Sequence, residues 1–243
     1  MFLLILAALF QSCDKENDKP ILLKSQISIS LTHEIAGETL VFDTIQYINA
    51  AGNPYSVSTL KYFISDLKLH RKDGTIAQLR AVQYVDARDE NTTSFLADQE
   101  ILAGEYERIT FTFGLDSLQN QPGNFPNPPE NLMEWPPTLG SGYHYMKLEG
   151  KLDSAGMVKN YQAHSGPSRG NHYYFNVELA GSGFTLKEGE QTVELIMDIN
   201  KWWTEPNLLD LNDMTMVMGN LDMQQKIMEN GANVFSFGGV TDR

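Results

Sequence analysis

The stretch MEWPPTLGSGYHYMKLEG, residues 133–150, changes character halfway along. Its first part holds the corner Trp135-Pro136-Pro137 and the turn Gly140-Ser141-Gly142. Proline has no amide proton to give to a sheet and glycine admits unusual backbone angles, so this part reads as a loop. Its second part, residues 143–149, alternates Tyr-His-Tyr-Met-Lys-Leu-Glu and reads as a strand. An aromatic side chain, a histidine and a methionine therefore gather where an irregular loop meets a rigid element, a common setting for function.

Working outward, a period of two dominates. Ile27, Ile29 and Leu31 alternate with Ser28, Ser30 and Thr32 in a first strand that ends near His33. Residues 57–69 form a long β-leaning segment with a bulge expected at Phe63-Ile64, and Lys72-Asp73-Gly74-Thr75 turns it into residues 76–84. Residues 106–113 alternate with an aromatic face. Residues 118–137 contain six of the ten prolines and four asparagines, a long loop with little regular structure. Strands resume at residues 143–150, 157–164, 172–179 and 192–199. Residues 223–231 have a helical pattern closed by Gly231. The expected fold is all-β: one antiparallel β-sandwich with a short C-terminal helix and a long Pro/Asn-rich loop, spanning residues 25–240.

Eighteen basic against 31 acidic residues give a net charge of −13. With no basic stripe, such a surface repels nucleic acid, which is excluded as a partner. Cys13 is the single cysteine, so an intrachain disulfide is excluded. It follows an apolar run too short to span a bilayer and precedes the charged sequence Asp14-Lys15-Glu16-Asn17-Asp18-Lys19-Pro20. Residues 1–13 resemble a bacterial lipoprotein signal ending at a lipidated Cys13, and residues 14–24 a tether. The expected location is the cell envelope, as an outer-membrane lipoprotein facing the periplasm or the cell surface. The chain lacks a nucleophile elbow, a phosphate-binding loop, H-E-x-x-H and a dinucleotide fingerprint, so a binding protein is expected and not an enzyme.

Three of the five histidines, His144, His164 and His172, fall within 29 residues. A turn at residues 153–156 would set Leu148 across from Tyr161 and Met146 across from Ala163. His144 then lies on the buried face and His164 on the opposite one. A second hairpin, closed by residues 165–171, would place His164 directly across from His172, close enough to share a metal ion. The same positions also suit a core histidine (His144) and a surface pair (His164 and His172). Imidazole suits copper or zinc, and Met133 or Met146 would add a soft ligand. His33 is a rival ligand at the end of its strand.

The pattern Met133-x-Trp135, Gly142-Tyr143-x-x-x-Lys147-x-Glu149-Gly150 and His164-Ser165-Gly166 resembles the MbnP-like family. Further similar blocks are Tyr47-Ile48-Asn49 with Gly52, residues 60–67, Ala103-Gly104-Glu105-Tyr106, residues 113–117, and the Met-rich residues 216–218 leading into residues 223–235. The resemblance implies a β-rich, methanobactin-associated periplasmic or lipoprotein domain that binds copper through histidines. It also implies that a tryptophan, here Trp135, can be oxidised to kynurenine by a dihaem peroxidase-like partner and then serve as a ligand. His164 matches the histidine of the family's H-x-G. Pro137 stands where a second tryptophan is common, and Gly219 where many relatives carry a histidine. The function expected is copper acquisition or handling by a lipid-anchored protein; the alternative is a lipoprotein that binds a non-metal ligand or a protein partner.

Overall fold

The computed structural model describes residues 23–243 apart from Thr215. The signal, the lipidation site Cys13 and most of the tether lie outside the described residues. Nine long strands carry the fold: β1 (Lys24–Ile35), β2 (Thr59–Arg71), β3 (Ile76–Asp86), β4 (Gly104–Phe113), β5 (Met146–Ser154), β6 (Met157–Ser165), β7 (Phe175–Glu178), β8 (Gly189–Asp198) and β9 (Phe235–Asp242). One long helix, α1 (Leu221–Gly231), begins two residues before its expected start. The side chain of Asn220 caps it by accepting from the Met223 amide.

Two sheets face one another, as the alternation requires. The smaller is built on β9, β8 and β1, and the free edge of β1 is covered in pieces by Glu38–Thr39, Ser94–Leu96 and Ile101–Leu102. The larger is centred on β2. One edge of β2 pairs with β3, while the other is shared, Thr59–Tyr62 with β5 and Ile64–Arg71 with β4. Among the described strands the pairing is antiparallel with one exception: β1 and β8 run parallel from Ser25/Gly189 to Glu34/Asp198. The bulge in β2 lies between Ser65 and Lys68, with Asp66 at φ +53°, and not at Phe63-Ile64. Phe63 and Ile64 are both fully buried, on opposite faces, so their apolar run marks a strand covered on both sides instead of a bulge.

Aromatic packing fills the space between the sheets. Trp202 lies against Phe113 at 5.1 Å between ring centroids, and Trp203 meets Tyr161 edge-on at 5.9 Å. His33 belongs to this interior. It faces across from β1 to β2, where its Nε2 is 2.9 Å from the Tyr62 hydroxyl. Burial lowers its pKa to about 4.

The β5–β6 hairpin keeps the expected parity but in a register two residues away. Leu148 faces Ala163, Met146 faces Ser165 and Gly150 faces Tyr161. The turn is tighter than the expected four-residue loop. Ala155 and Gly156, at φ +54° and +85°, connect Ser154 directly to Met157. Gly150 also admits a close approach: a β-carbon there would stand 1.8 Å from the Ser56 carbonyl oxygen and 2.8 Å from the Tyr161 ring.

The expected three-stranded meander does not form. β7 pairs with β4, Phe175 opposite Phe113, and not with β6. The chain turns back sharply at residues 168–171 instead, and β6 has β5 as its ladder partner. The outer face of the larger sheet is covered as well. Phe63, Tyr84, Leu115, Met133, Tyr143, Tyr145 and Tyr173 form a second apolar cluster there, beneath residues 118–137. That loop has no long helix or strand, as expected, but is folded onto the sheet through the turn Glu130–Met133.

Gly150→Ala should lower stability by about 1–3 kcal/mol or more, since the clash is with backbone that cannot rotate away; a denaturation midpoint equal to the parent's would contradict this packing. His33 supplies a second expectation. Its folded pKa lies below its unfolded value, so the unfolded chain binds a proton first as pH falls from 6.5 towards 4. Roughly 3 kcal/mol of stability should be lost across that window. Urea unfolding at pH 7 and pH 4.5 should show a smaller difference for His33→Gln than for the parent.

Candidate functional site

Residues 133–135 run antiparallel to residues 142–144 just before β5. The Trp135 amide donates to the Gly142 carbonyl (2.8 Å) and the His144 amide donates to the Met133 carbonyl (2.7 Å). This short clamp sets the Trp135 indole against the His144 ring, 4.7 Å between centroids and near perpendicular. The His144 ring in turn meets that of His164 at 5.1 Å, at 82°. Trp135, His144 and His164 thus form one continuous buried group.

His144 and His164 were expected on opposite faces of the sheet, and the structure overturns this. Strict alternation begins only at Met146, and the bend at Tyr145 turns His144 out of it. Tyr145 itself bridges two strands, its amide donating to Ser165 and its carbonyl accepting from Phe63. His164 follows parity correctly. It is opposite Lys147 on the outer face of the β5–β6 hairpin.

Each imidazole has one nitrogen engaged. Burial lowers the His144 pKa to about 3, so the ring is neutral. Its Nδ1 is 2.9 Å from the Met133 carbonyl oxygen, to which a ring nitrogen can only donate. The proton therefore sits on Nδ1, and Nε2 carries a lone pair. That Nε2 is buried with no hydrogen-bond partner, as is Nε1 of Trp135. His164 uses its Nε2 on the Glu149 carboxylate at 2.7 Å. The hydrogen bond with His164 is the main reason the Glu149 carboxyl is held below its ordinary pKa despite partial burial. Lys147, whose pKa partial burial lowers, is directed elsewhere, donating to the Leu132 carbonyl at 2.7 Å.

Two further residues fix the group. Gly166 packs under the indole so tightly that a β-carbon would come within 2.5 Å of Trp135, which accounts for the glycine of the H-x-G pattern. Gln224, buried on α1, donates to the His164 and Val217 carbonyls and accepts from the Gly166 amide. It ties the end of β6 to the Met-rich turn. Beside His164 opens a cavity of about 660 Å³ lined by Leu139, Arg169, Met216, Met218 and Gly219, among others.

The other candidates lie apart. His172 is exposed and packs near Tyr174 at 6.0 Å, and without a β6–β7 pairing it does not stand opposite His164. The strand expected from residue 172 begins only at Phe175, so His172 lies in the irregular segment before β7. His33 is held between the sheets on Tyr62. Met146 points into the sandwich interior and Met133 lies in the outer cluster. Among the described residues, no three His, Cys, Asp or Glu side chains converge as a ready-made metal cluster. In the sequence Glu149 stands only as one position of the Lys147-x-Glu149-Gly150 pattern, with no role attached, and Gln224 only within the helical stretch 223–231. For Glu149 a signal existed, since it shares the face of Lys147 and His164 by parity; for Gln224 none did.

A search of curated proteins gives no match. The fold is similar to that of MbnP from Methylosinus trichosporium, with a TM-score of 0.51 at 14% identity over 81% of this chain and 83% of that one. The family model for MbnP matches residues 24–221, most of the chain and the whole of the His144–His164 group, and the chain accordingly belongs to the MbnP family.

Proposed function

We propose that the protein is an extracytoplasmic, lipid-anchored binding protein for copper, held between His144 and His164, and not an enzyme. One observation carries the reading: two neighbouring imidazoles each have one ring nitrogen tied to an oxygen acceptor, and in His144 the other nitrogen is buried with no hydrogen-bond partner. Metal-ligating histidines have this form, with the second ring nitrogen donating to a carbonyl or carboxylate. The unpartnered, buried Nε2 of His144 fits a metal. Left bare, a buried acceptor costs about 1–3 kcal/mol, which coordination would remove. Imidazole suits copper, and two such donors are a workable set for Cu(I). Copper would bring its own positive charge into a group that is otherwise uncharged at the His144 end.

Trp135 supports the reading from the other side of His144. In line with the family resemblance, we propose that its oxidation by a dihaem peroxidase-like partner would turn the indole into a ligand beside His144. The close fit of Gly166 would hold that side chain in place. Binding to the membrane through Cys13 belongs to the same proposal, motivated by the apolar leader and charged tether. Among the described residues, no helix is long and apolar enough to cross a membrane.

A second reading has its own support. The cavity beside His164 is walled mainly by Leu139, Val217 and the Met216 and Met218 side chains, and its volume is in the range that accommodates a small organic molecule. On that reading the protein is a lipoprotein that binds a non-metal ligand.

Copper titration against a competing chelator, followed by metal analysis, separates the two. Purified protein should hold copper at neutral pH. His144→Ala and His164→Ala should each weaken binding by more than the ~10–100-fold typical of losing an outer-shell partner. His172→Ala and His70→Ala should leave it unchanged. A metal-free parent protein, or equal uptake by all four variants, would remove the copper reading and leave the second.

Gly219 provides a gain-of-function test. A β-carbon there would meet only Leu139, at 3.9 Å, and the position borders the same cavity as His164. Gly219→His should therefore fold normally and tighten copper binding, measured by the same competition; an unchanged affinity would place copper away from this wall of the cavity.

A further inference from the structure

We infer that Glu149 is a positioning residue that fixes which nitrogen of His164 faces the metal. The inference rests on the copper reading above for its consequence, but the geometry stands without it. On β5 and β6, Lys147 is the direct cross-strand neighbour of His164 and Glu149 that of Gln162. The ring nevertheless reaches diagonally to Glu149, Nε2 to Oε1 at 2.7 Å, within the range of charge-assisted hydrogen bonds. A carboxylate accepts only, so Nε2 carries a proton, and in the neutral ring Nδ1 is left with the lone pair that a metal can take.

Two features hold the diagonal contact in place. Lys147, the cation closest in register, has its ammonium on the Leu132 carbonyl. Glu149 is only part-buried and lies opposite Thr59 on β2, so its strand is paired on both edges and its backbone cannot slip. The backbone of His164 is equally constrained, its carbonyl accepting from the buried Gln224 amide at 2.7 Å. With both ends of the contact anchored, the geometry favours one orientation of the ring, with Nε2 on the carboxylate. His144 has the opposite assignment, with its proton on Nδ1 towards Met133. The pair is therefore asymmetric: Nε2 of His144 and Nδ1 of His164 would be the two donors.

The test uses full-length mature protein with 15N-labelled histidine, first without metal and then with Cu(I). In the metal-free parent at pH 7.5, the His164 nitrogen shifts should show a protonated Nε2 and a bare Nδ1. Glu149→Ala should mix the tautomers and weaken Cu(I) binding about 10–100-fold, the usual size of an outer-shell loss. Glu149→Gln, which keeps shape and an acceptor oxygen, should recover part of both and guards against misfolding of the alanine variant. A His164 tautomer unaffected by either substitution would overturn the positioning role. If the parent binds no copper but the tautomer shifts as described, the copper reading fails and the positioning role survives.

Discussion

The apolar outer face of the larger sheet is the constraint on which the site depends. Phe63, Tyr143 and Tyr145 point away from the sandwich interior, and each would leave a large apolar area in water if that face were open. Sheets of this kind often keep one face solvated. Here residues 118–137 close over it, with Phe125 stacked on Phe63 at 5.5 Å and its amide held by the Tyr143 hydroxyl. Because the loop must return to β5 along this surface, its last residues run beside residues 142–144. Trp135 arrives at His144 as a consequence of that path.

Much of this was legible in the sequence, for a definable reason. Within regular strands, side chains alternate by geometry, so the inner positions Met146, Leu148 and Leu152 and the outer position His164 follow from parity alone. Parity survives a register error of two residues, which is why the regular part of the expected β5–β6 hairpin has the correct faces with the wrong partners. It does not survive an interruption. One bend at Tyr145 moved His144 from its expected face into contact with His164. Partner choice is less legible still. The alternation of residues 173–179 suits pairing with β6 as well as with β4. Whether β7 joined β6 or β4 was decided by the sharp turn at residues 168–171 and by Phe113 and Trp202 awaiting Phe175.

Small residues near the site act through what they omit. Gly166 and Gly150 have ordinary negative φ or extended backbone, so neither is there for turn geometry. Each is a place where something else occupies the volume of a β-carbon: the indole of Trp135 at Gly166, the Ser56 carbonyl and Tyr161 ring at Gly150. The glycines of the H-x-G and E-G patterns are thus packing statements. They bind the position of the tryptophan, and the seating of the hairpin that carries His164, to the backbone itself. Such contacts cannot relax by rotamer change, which makes the placement of Trp135 stiffer than a loop residue's would ordinarily be.

The electrostatics of the two histidines divide the work. His144 is deep, neutral and bonded to a carbonyl dipole, so it adds a lone pair without adding charge. His164 borders a cavity and leans on a carboxylate, so negative charge lies one bond beyond its ring. A cation between them would meet a neutral donor on the buried side and a donor backed by an anion on the open side. Coulombic attraction inside a protein exceeds that in water, so on the proposed reading Glu149 would strengthen the attraction for such a cation from beyond the ring. The overall charge of −13 would act in the same direction at longer range, raising the local concentration of cations around the molecule.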